Sequence, residues 1–541
     1  MTATRTGAGR RRGDATAASE GATDGANGPA AQGSSATAAE PGPAGTGGPG
    51  DAGRTGGTRH AEAADGATVP DSRTGRPNGP AAQSSSAAGE TVPAGTGGTG
   101  HTEAAVSAEA AGGAPDLAGF DPRRIADALE ELAALSEPGP GVTRLAYTRL
   151  ERRAHELFAR WMREAGCTVA TDPAGNTIAT RAGRRPHAPA LGTGSHLDSV
   201  YQAGRFDGIA GVVAAVETAR VLAERGTETE HPLRFVAFAG EEGARFGQAC
   251  LGSKLAAGLS SLSELRARTD RDGISVADAM SELGFDPAEA AATPWRPEEW
   301  AAFLELHVEQ GSVLERGQIA VGAVDLISGS TRLELTLHGR ASHTGGTPMR
   351  GRSDALTAAA EAVLVAEEVA LDVRHHGTRA TVGRLDVAPG SITTIPGTVT
   401  LSVDVRDVDA DRQRETAAEI VRRVRAACDR RRVGLDVRLL ADTSPVVLPV
   451  WVRQFITGAA RQAGVGYRAM TSGASHDAQM INRVTPAGMV FVPSREGLSH
   501  VPEEWTSPVD IAVGTRVLTD ALLRLDRRLG QLSGGERESG R

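Results

Sequence analysis

Residues 190–243 read ALGTGSHLDSVYQAGRFDGIAGVVAAVETARVLAERGTETEHPLRFVAFAGEEG. Two short apolar runs, Ala190–Ser195 and Leu233–Ala239, enclose a longer apolar run, Gly208–Leu222, and polar loops separate the three. Apolar runs of about four to eight residues are typical of buried strands, whereas the middle run is long enough for a buried helix. The stretch therefore predicts a strand–helix–strand unit whose two strands lie in a parallel sheet.

The same alternation continues outside this stretch. Short apolar runs at Phe303–His307 and Met489–Pro493 predict two further core strands. Apolar residues at helical spacing predict a helix over Arg144–Ala165 and a closing amphipathic helix over Val509–Leu529. Strands that alternate with helices favour an α/β fold with a mostly parallel sheet and helices on both faces.

A second pattern lies between these core segments. Its elements are, in order, a strand, a helix, two strands, a helix and a strand: Thr331–Leu337, Asp354–Leu371, Ala380–Val387, Val399–Val405, Arg412–Arg431 and Leu435–Leu440. The order β-α-β-β-α-β is that of a ferredoxin-like α+β domain. We therefore expect a large α/β domain, split into residues 117–327 and 441–530, with the smaller domain, residues 328–440, inserted between its halves.

Both ends of the chain are expected to be disordered. Residues 1–116 contain no Leu, Ile, Phe, Tyr or Trp, so they lack the apolar surface whose burial offsets the entropy of folding. The segment NGPAAQGSSA at Asn27 returns as NGPAAQSSSA at Asn78. Because neither copy has an apolar face, we interpret the pair as a duplicated low-complexity linker. Residues 531–541 are predicted to be a short disordered C-terminus.

Composition excludes several classes of partner. The 541 residues include 58 Lys and Arg against 67 Asp and Glu, a formal net charge of −9, whereas a nucleic-acid partner requires a basic surface. No apolar run approaches the ~18 residues of a membrane span, so no membrane partner is expected. Cys167, Cys250 and Cys428 are too far apart for a disulfide framework or a cysteine zinc site, which favours a cytoplasmic location.

Polar side chains collect where the predicted core elements meet. Side chains of metal-binding type stand at or just after four core strands and at the start of the apolar helix: His196, Asp198, Asp207, Glu241, Glu242, His307 and His500. Open α/β sheets bind ligands at the carboxyl ends of their strands, so these residues are expected at one sheet edge. Taken singly, Asp207 would more often be a helix cap and each histidine a structural one. Together they offer nitrogen and oxygen ligands suited to zinc, manganese or cobalt.

The segments that contain these residues resemble a known family. They are GSHLDSV, GRFDGIAGV, EEGARF, ELHVEQG, GRASHTGGTPM, SGASHDAQ and PSREGLSH. Over about Leu117 to Leu529 the chain resembles the amidohydrolase branch of the M20 metallopeptidase family, which includes N-carbamoyl-L-amino-acid hydrolases, β-ureidopropionase and allantoate amidohydrolase. The resemblance implies a catalytic domain that holds two metal ions, and an inserted ferredoxin-like dimerisation domain that makes the protein a homodimer.

The resemblance also implies which residues hold the metal ions. Asp207 would bridge two divalent ions, which are zinc, manganese or cobalt. His196 and His307 would complete one ion, and Glu242 and His500 would complete the other.

Three further residues would take part without binding metal. Asp198 would orient His196, and Glu241 would be the general base that takes a proton from the attacking water. His343, in the inserted domain, would reach the active site of the partner subunit and stabilise the developing oxyanion.

A last group of residues would bind the substrate. Gln310 and His476 match polar groups that line the family's pocket, and Arg406 matches an arginine that clamps the substrate carboxylate. Without the resemblance, Arg406 would be an ordinary charged strand residue. The chain departs from the family at Thr393, where asparagine is usual, and at Ser475, where glycine is commoner. The shorter Thr393 is expected to alter affinity or substrate choice.

The implied reaction is hydrolysis of the ureido C–N bond of a small N-carbamoyl-L-amino acid, giving the amino acid, CO₂ and ammonia. Allantoate and N-carbamoyl-β-alanine are alternative substrates, because each also combines a ureido group with a carboxylate. A peptidase and a non-catalytic homologue remain as alternatives of other classes. The HVEQG and SHDA segments argue against the first, and the presence of Glu241 beside all five ligand residues argues against the second.

Overall fold

The computed structural model describes the backbone of residues 117–538 and the side chains of residues 117–532. The tail predicted to be disordered, residues 1–116, lies outside the described residues. At the other end the closing helix spans Pro508–Glu538 and so extends past residue 530, where the catalytic domain was expected to end.

Strands are numbered in chain order over the described residues. They are β1 Thr168–Thr171, β2 Thr177–Arg181, β3 Ala190–His196, β4 Leu233–Phe238, β5 Trp300–Val308, β6 Val321–Ile327, β7 Gly329–His338, β8 Ser342–His343, β9 Arg379–Thr381, β10 Leu385–Ala388, β11 Thr394–Ile395, β12 Thr398–Asp407, β13 Gly434–Thr443, β14 Val446–Val447, β15 Tyr467–Ser472 and β16 Ala487–Val492.

Helices are numbered in the same way. They are α1 Pro122–Ala133, α2 Arg149–Glu164, α3 Ile209–Glu224, α4 Leu251–Ala256, α5 Leu262–Ala267, α6 Val276–Glu282, α7 Pro287–Ala292, α8 Val313–Gly317, α9 Ala355–Leu371, α10 Ala410–Arg431, α11 Val450–Gln462, α12 Asp477–Ile481 and α13 Pro508–Glu538, with single 3₁₀ turns at Pro297–Glu299, Val373–His375 and Arg495–Gly497. Within the described chain, every helix is too short or too polar to cross a membrane.

The larger sheet has nine strands among the described residues, in the order β1-β2-β4-β3-β5-β16-β6-β14, with β15 also paired to β6. Its centre, β4-β3-β5-β16, is parallel throughout, and these are the four core strands that the sequence predicts. The carboxyl ends of parallel neighbours lie at one edge of the sheet. The residues that follow these four strands are thereby brought together.

Helices cover both faces of this sheet. Along β4, Phe235 and Ala237 join one hydrophobic cluster, which also includes residues of α1, α2, α3, α11 and α13. Val236 and Phe238 join a second cluster on the opposite face, with residues of α8 and α12. Successive side chains of a strand point to opposite faces, so β4 is buried on both sides. The predicted α/β class with helices on both faces is confirmed.

The inserted segment forms a separate antiparallel sheet in the order β10-β12-β7-β13, with β9 also paired to β12. This strand order, with α9 and α10 packed on one face, confirms the ferredoxin-like arrangement. The single strand predicted over Ala380–Val387 is instead two strands, β9 and β10. Between them the Arg384 N–H donates to the Ser402 hydroxyl, while the Arg384 carbonyl oxygen accepts the Ser402 N–H at 3.1 Å.

The two crossings between the domains lie side by side. β6 leads into β7 through Ser328, and β13 leads into β14 through residues 444 and 445; β13 pairs with β7, and β14 pairs with β6. β13 continues to Thr443, beyond the boundary expected at residue 440. The Gln479 side-chain amide, on α12, donates to the carbonyl oxygens of Ser328 and Ser444 at 3.2 and 3.1 Å. One side chain of the large domain therefore holds both crossings.

The second helix begins later than the sequence suggests. It was predicted from Arg144, but α2 begins at Arg149 after Thr148, whose side chain accepts the Glu151 N–H. Tyr147 has a φ of +52°, which is incompatible with a continuous right-handed helix. Residues 144–147 are therefore a separate segment, and Arg144 is buried inside the large domain.

Helix α3 approaches the sheet closely at one glycine. A Cβ on Gly211 would lie 2.2 Å from the Leu306 carbonyl oxygen and 2.6 Å from Ser195 Cβ. Gly458, in α11, is different, because a Cβ there would meet only the tip of Arg524, at 3.4 Å. The first glycine is required for packing, whereas the second is an ordinary helix position.

The Gly211→Ala substitution is expected to lower the free energy of unfolding by about 1–3 kcal/mol, since the added methyl group must displace backbone atoms of β5. The control, Gly458→Ala, is expected to raise the free energy of unfolding by about 0.5–1 kcal/mol, because alanine is the better helix former. Urea denaturation of both variants measures the difference. Equal stability of the two would contradict the close approach of α3 to the sheet.

Candidate metal centre

The structure brings the five predicted metal ligands together around Asp207. Oδ1 of Asp207 lies 3.1 Å from His307 Nε2 and 3.6 Å from His196 Nε2. Its other oxygen, Oδ2, lies 3.3 Å from His500 Nε2, which in turn is 3.3 Å from Glu242 Oε1. The Asp207 carboxylate therefore lies between the His196–His307 pair and the Glu242–His500 pair.

The fold explains how these residues meet. His196 ends β3, His307 lies next to the end of β5, and Glu242 and His500 are on the segments that follow β4 and β16. All four positions are at the carboxyl edge of the parallel centre of the sheet. Asp207 enters from the segment before α3.

Asp207 does not cap α3. The cap position is Gly208, with a φ of +69° and no side-chain hydrogen bond to the helix. A Cβ at Gly208 would lie 2.3 Å from His196 Cε1, so glycine both permits this backbone conformation and leaves room for the histidine ring. The carboxylate of Asp207 is thereby turned away from the helix and toward the histidines.

The donor set fits two divalent cations. One ligand atom each from His196, Asp207 and His307 lie within 4.8 Å of one another, and the same holds for Asp207, Glu242 and His500. Glu242 Oε1 is buried and accepts no hydrogen bond, although buried carboxylate oxygens normally have a partner. Imidazole nitrogens and carboxylate oxygens are suitable ligands for zinc, manganese and cobalt. Asp207, common to both groups, is placed as a bridge would be.

The pKa shifts of these residues also favour a cation site. Burial raises the pKa of Asp207, but the neighbouring His307, His196 and His500 outweigh it and hold the pKa well below its usual range. The charge of Glu242 raises the pKa of His500 to about 11, against the effect of burial. The shifts of both groups arise because the carboxylates and imidazoles stabilise one another's charges. Metal ions would replace the imidazole protons.

A third cluster, Glu305, His307 and His476, also has metal-ligand spacing. Both Glu305 oxygens are already hydrogen-bonded, one to the Ser195 hydroxyl at 2.7 Å and one to the Ala478 N–H at 2.8 Å. Burial, with the nearby His307, lowers the pKa of His476 well below its ordinary value, so this ring is neutral. We interpret the cluster as a support behind His307.

Asp198 connects two of the strand ends. Its oxygens accept the N–H groups of Glu241 and Glu242 at 2.8 and 2.9 Å. Oδ1 also lies 3.5 Å from His196 Nδ1, on the side of the ring away from Asp207. Asp198 is fully buried, and it contacts both the Glu241–Glu242 backbone and the His196 ring, whose Nδ1 also lies 3.2 Å from the Asp198 carbonyl oxygen.

Glu241 lies beside the ligand group without being one of its members. Its Oε2 is 3.9 Å from His196 Nε2, and its Oε1 is 3.0 Å from Cys250 Sγ. The pKa of Glu241 is raised to about 7. Burial is the largest cause, the nearby His196 acts in the opposite direction, and the charge of Glu242 adds to the increase. A carboxylate that exchanges a proton near neutral pH is suited to general-base work.

Two of the predicted substrate residues contact this centre, and a third, Arg406, contacts the loop that leads to His476. The Gln310 amide donates to Asp207 Oδ2 at 2.6 Å, so it contacts the central carboxylate directly. His476 packs edge-on against His307, with ring centroids 4.5 Å apart. Arg406 donates to the Gly473 carbonyl oxygen at 3.2 Å, on the loop that leads to His476. Its second partner is Asp404, at 3.0 Å.

The other two predicted residues, His343 and Thr393, lie elsewhere in the chain. His343 is on the exposed two-residue strand β8, paired with Thr394 of β11. The Thr344 N–H donates to the Thr393 carbonyl oxygen at 3.1 Å, so His343 and Thr393 are neighbours. Among the described residues neither has a hydrogen bond or ion pair to the metal ligands. The structure therefore does not unite them with the metal centre of their own chain.

Two residues that the sequence did not indicate hold Asp207 in place. Glu504 accepts the N–H groups of Phe206 and Asp207 at 3.0 and 3.2 Å. The Ser499 hydroxyl lies 2.8 Å from Asp207 Oδ2 and 2.7 Å from Glu504 Oε1. Their proximity to His500 in the chain was the only signal, and neither residue lies at a strand end.

Arg144 and Glu151 were also missed. The Arg144 guanidinium is fully buried and donates to the carbonyl oxygens of Leu197 and Leu132 at 2.6 and 2.7 Å. Glu151 accepts the Gly240 N–H at 2.8 Å. Both residues secure the backbone next to His196 and Glu241. Their partners are backbone groups of distant segments, which leave no pattern in the sequence.

A family profile and two sequence relatives identify the same family for this chain. The sequence profile of peptidase family M20/M25/M40 matches residues 192–524. An N-carbamoyl-L-amino-acid amidohydrolase of Paenarthrobacter aurescens is 42% identical over 406 residues, which are 75% of this chain and 98% of the relative. An enzyme of Geobacillus stearothermophilus with the same activity in its name is 41% identical over 404 residues, 74% of this chain and 98% of the relative.

Solved structures agree with the sequence relatives. A crystal structure of an amidase of the hydantoinase/carbamoylase family from Burkholderia vietnamiensis is 36% identical, with a TM-score of 0.71 over 75% of this chain and 98% of that chain. The chain therefore belongs to peptidase family M20/M25/M40 and is a hydrolase of its amidohydrolase branch.

Proposed function

We propose that this enzyme hydrolyses the ureido C–N bond of N-carbamoyl-L-amino acids, releasing the amino acid, CO₂ and ammonia. The observation that carries the proposal is the position of Glu241, buried and 3.9 Å from His196 Nε2, beside a ligand group that shares Asp207. The two relatives named for this activity, each matched over 98% of its length, support the choice of substrate.

Different side chains are proposed to carry out different steps of the hydrolysis. Two divalent cations, held by the five ligand residues around Asp207, would polarise the ureido carbonyl and lower the pKa of water. Glu241 takes a proton from the attacking water and returns it to the leaving amine nitrogen, which departs as the free amino acid. The remaining carbamate decomposes to CO₂ and ammonia.

Arg406 is proposed to bind the substrate carboxylate. Its guanidinium faces Gly473 across the junction of the two domains, and its other hydrogen bond is to Asp404. A planar guanidinium can exchange such contacts for a two-point bond to a carboxylate. His476 and Gln310 would line the same pocket, on the side of the metal centre.

The active unit is proposed to be a homodimer joined through the inserted domain, in which His343 serves the partner's active site. His343 is exposed and has no contact with the metal ligands of its own chain among the described residues. Two strongly exposed apolar side chains are near them in the chain: Ile392, next to Thr393, is 97% exposed, and Met349, six residues after His343, is 76% exposed. Burial of such side chains against a second copy would be favourable. A C₂ dimer would bring both histidines to opposite sites.

Ammonia release from a substrate panel tests the proposal. The panel contains N-carbamoyl-L-amino acids, allantoate, N-carbamoyl-β-alanine and dipeptides, each assayed with and without added Mn²⁺. We expect the highest kcat/KM with an N-carbamoyl-L-amino acid, and activity that depends on the metal. Faster cleavage of allantoate or of a dipeptide would replace the proposed substrate. An enzyme that is inactive on every compound, although loaded with metal, would support a non-catalytic homologue.

The Asp198→Asn substitution is expected to weaken metal binding by about 10–100-fold, the usual effect of losing a residue that orients a ligand. Asparagine matches the shape of aspartate, but its amide nitrogen cannot accept the N–H of Glu241 or Glu242. Metal titration of the apo-protein measures the change. Asp386→Asn is the control, because Asp386 is exposed, lies in the inserted domain and is paired with Arg384. Unchanged affinity in Asp198→Asn would contradict the orienting role.

The Glu241→Gln substitution is expected to keep both metal ions and to lower turnover by about 10²–10⁴-fold, because the amide cannot accept the proton. Elemental analysis of the folded variant measures the bound metal ions, and a steady-state assay measures turnover. Near-normal turnover would exclude Glu241 as the base. Loss of the metal ions would instead make Glu241 a ligand.

Mixed dimers test the position of His343. Co-expression of a Glu241→Gln chain with a His343→Ala chain gives mixed dimers in which one site has both groups intact. Random pairing makes half of the dimers mixed, with one good site in two, so about a quarter of the wild-type activity is expected. An inactive mixture, with mixed dimers detected by differential tags, would place His343 in its own subunit's site or outside catalysis.

A further inference from the structure

We infer that Cys250 is a positioning residue for Glu241: its thiol holds one carboxylate oxygen so that the other faces the metal centre. Cys250 Sγ lies 3.0 Å from Glu241 Oε1, whereas Glu241 Oε2 is the oxygen on the side of His196. The inference rests on the proposed role of Glu241 as general base.

The main chain around Cys250 holds the same loop. The N–H groups of Cys250, Leu251 and Gly252 donate to the carbonyl oxygens of residues 241, 240 and 239, at 2.6, 2.8 and 2.9 Å. These are the donors at the start of α4, which have no partner inside the helix. The loop after β4 is therefore fixed from Ala239 to Glu241, and the thiol adds a contact to the Glu241 side chain itself.

The backbone conformation of Cys250 is unusual for a residue with a side chain. Its φ and ψ are +60° and +40°, in the left-handed region, where a side chain costs free energy that glycine would avoid. Strained positions of this kind cluster at functional sites. The side chain at this position is also buried, with 1% exposure, and contacts the Glu241 carboxylate.

The thiol is a donor in this environment. Burial raises the pKa of Cys250 well above its ordinary value, and the nearby Glu241 adds to the effect. The protonated thiol can donate to only one acceptor at a time, and the alternative, the His476 carbonyl oxygen, is farther away at 3.7 Å. The S–H bond is therefore directed at Glu241 Oε1. Free rotation of the carboxylate is thereby prevented, and Oε2 is kept available for the proton of the attacking water.

Steady-state kinetics of three cysteine variants test the inference. Cys250→Ala removes the donor and is expected to lower kcat about three- to tenfold, the effect of one hydrogen bond, with KM unchanged. Cys250→Ser keeps a donor and is expected to restore most of kcat. Cys428→Ala, at a buried cysteine of the inserted domain, is the control. An unchanged kcat in Cys250→Ala, or a serine variant as slow as the alanine variant, would overturn the inference.

Infrared spectroscopy tests the contact without any assay of activity. The S–H stretching band that disappears in Cys250→Ala belongs to Cys250, and hydrogen bonding to a carboxylate is expected to shift it to lower frequency than the band of Cys428. Glu241→Gln is expected to move the Cys250 band to higher frequency. A band that ignores Glu241→Gln overturns the inference, even where the cysteine variants fold poorly. A shifted band in an enzyme without ureido-hydrolysing activity would retain the contact and reject the proposed function.

Discussion

One buried carboxylate, that of Asp207, is the constraint on which the site depends. Its two oxygens lie within 3.1–3.6 Å of three imidazole nitrogens, which come from the ends of two strands and from a distant loop. A buried carboxylate is strongly unfavourable unless it is paired, so Asp207 and the three histidines must be placed together or not at all. Glu504 and Ser499 fix Asp207 from behind, and Gly208 provides the turn that keeps it out of the helix.

The meeting of the candidate ligands at one edge of the sheet could be predicted because it follows from the geometry of a parallel sheet. His196, Glu242 and His307 each stand at or just after a short apolar run, and the fold brings such positions to one edge. Asp207 was ambiguous, since the choice between cap and ligand depends on the φ of Gly208, which the sequence does not reveal. The inserted domain was also predictable from its alternating elements, apart from the break between β9 and β10.

The residues that could not be predicted have partners that are remote in sequence and part of the backbone. Arg144 binds the Leu197 carbonyl oxygen 53 residues away, and Glu504 accepts backbone N–H groups about 300 residues away. A backbone group has no signature in sequence, so these contacts become visible only in three dimensions. His343 is a different case, because its predicted role depends on a second chain. Its exposed position on β8 is consistent with that role.

The paired crossings between the domains determine how the inserted domain can move. Two adjacent connections, held together by strand pairing on either side, act as a ribbon and not as a flexible tether. A ribbon bends easily about the axis that lies across its width and resists twist and in-plane displacement. We therefore expect the inserted domain to open and close along a single arc, with Arg406 travelling toward or away from the His476 loop. The Gln479 side chain bonds both crossings to α12, the helix that follows His476. Movement of the inserted domain is therefore coupled to the helix next to His476.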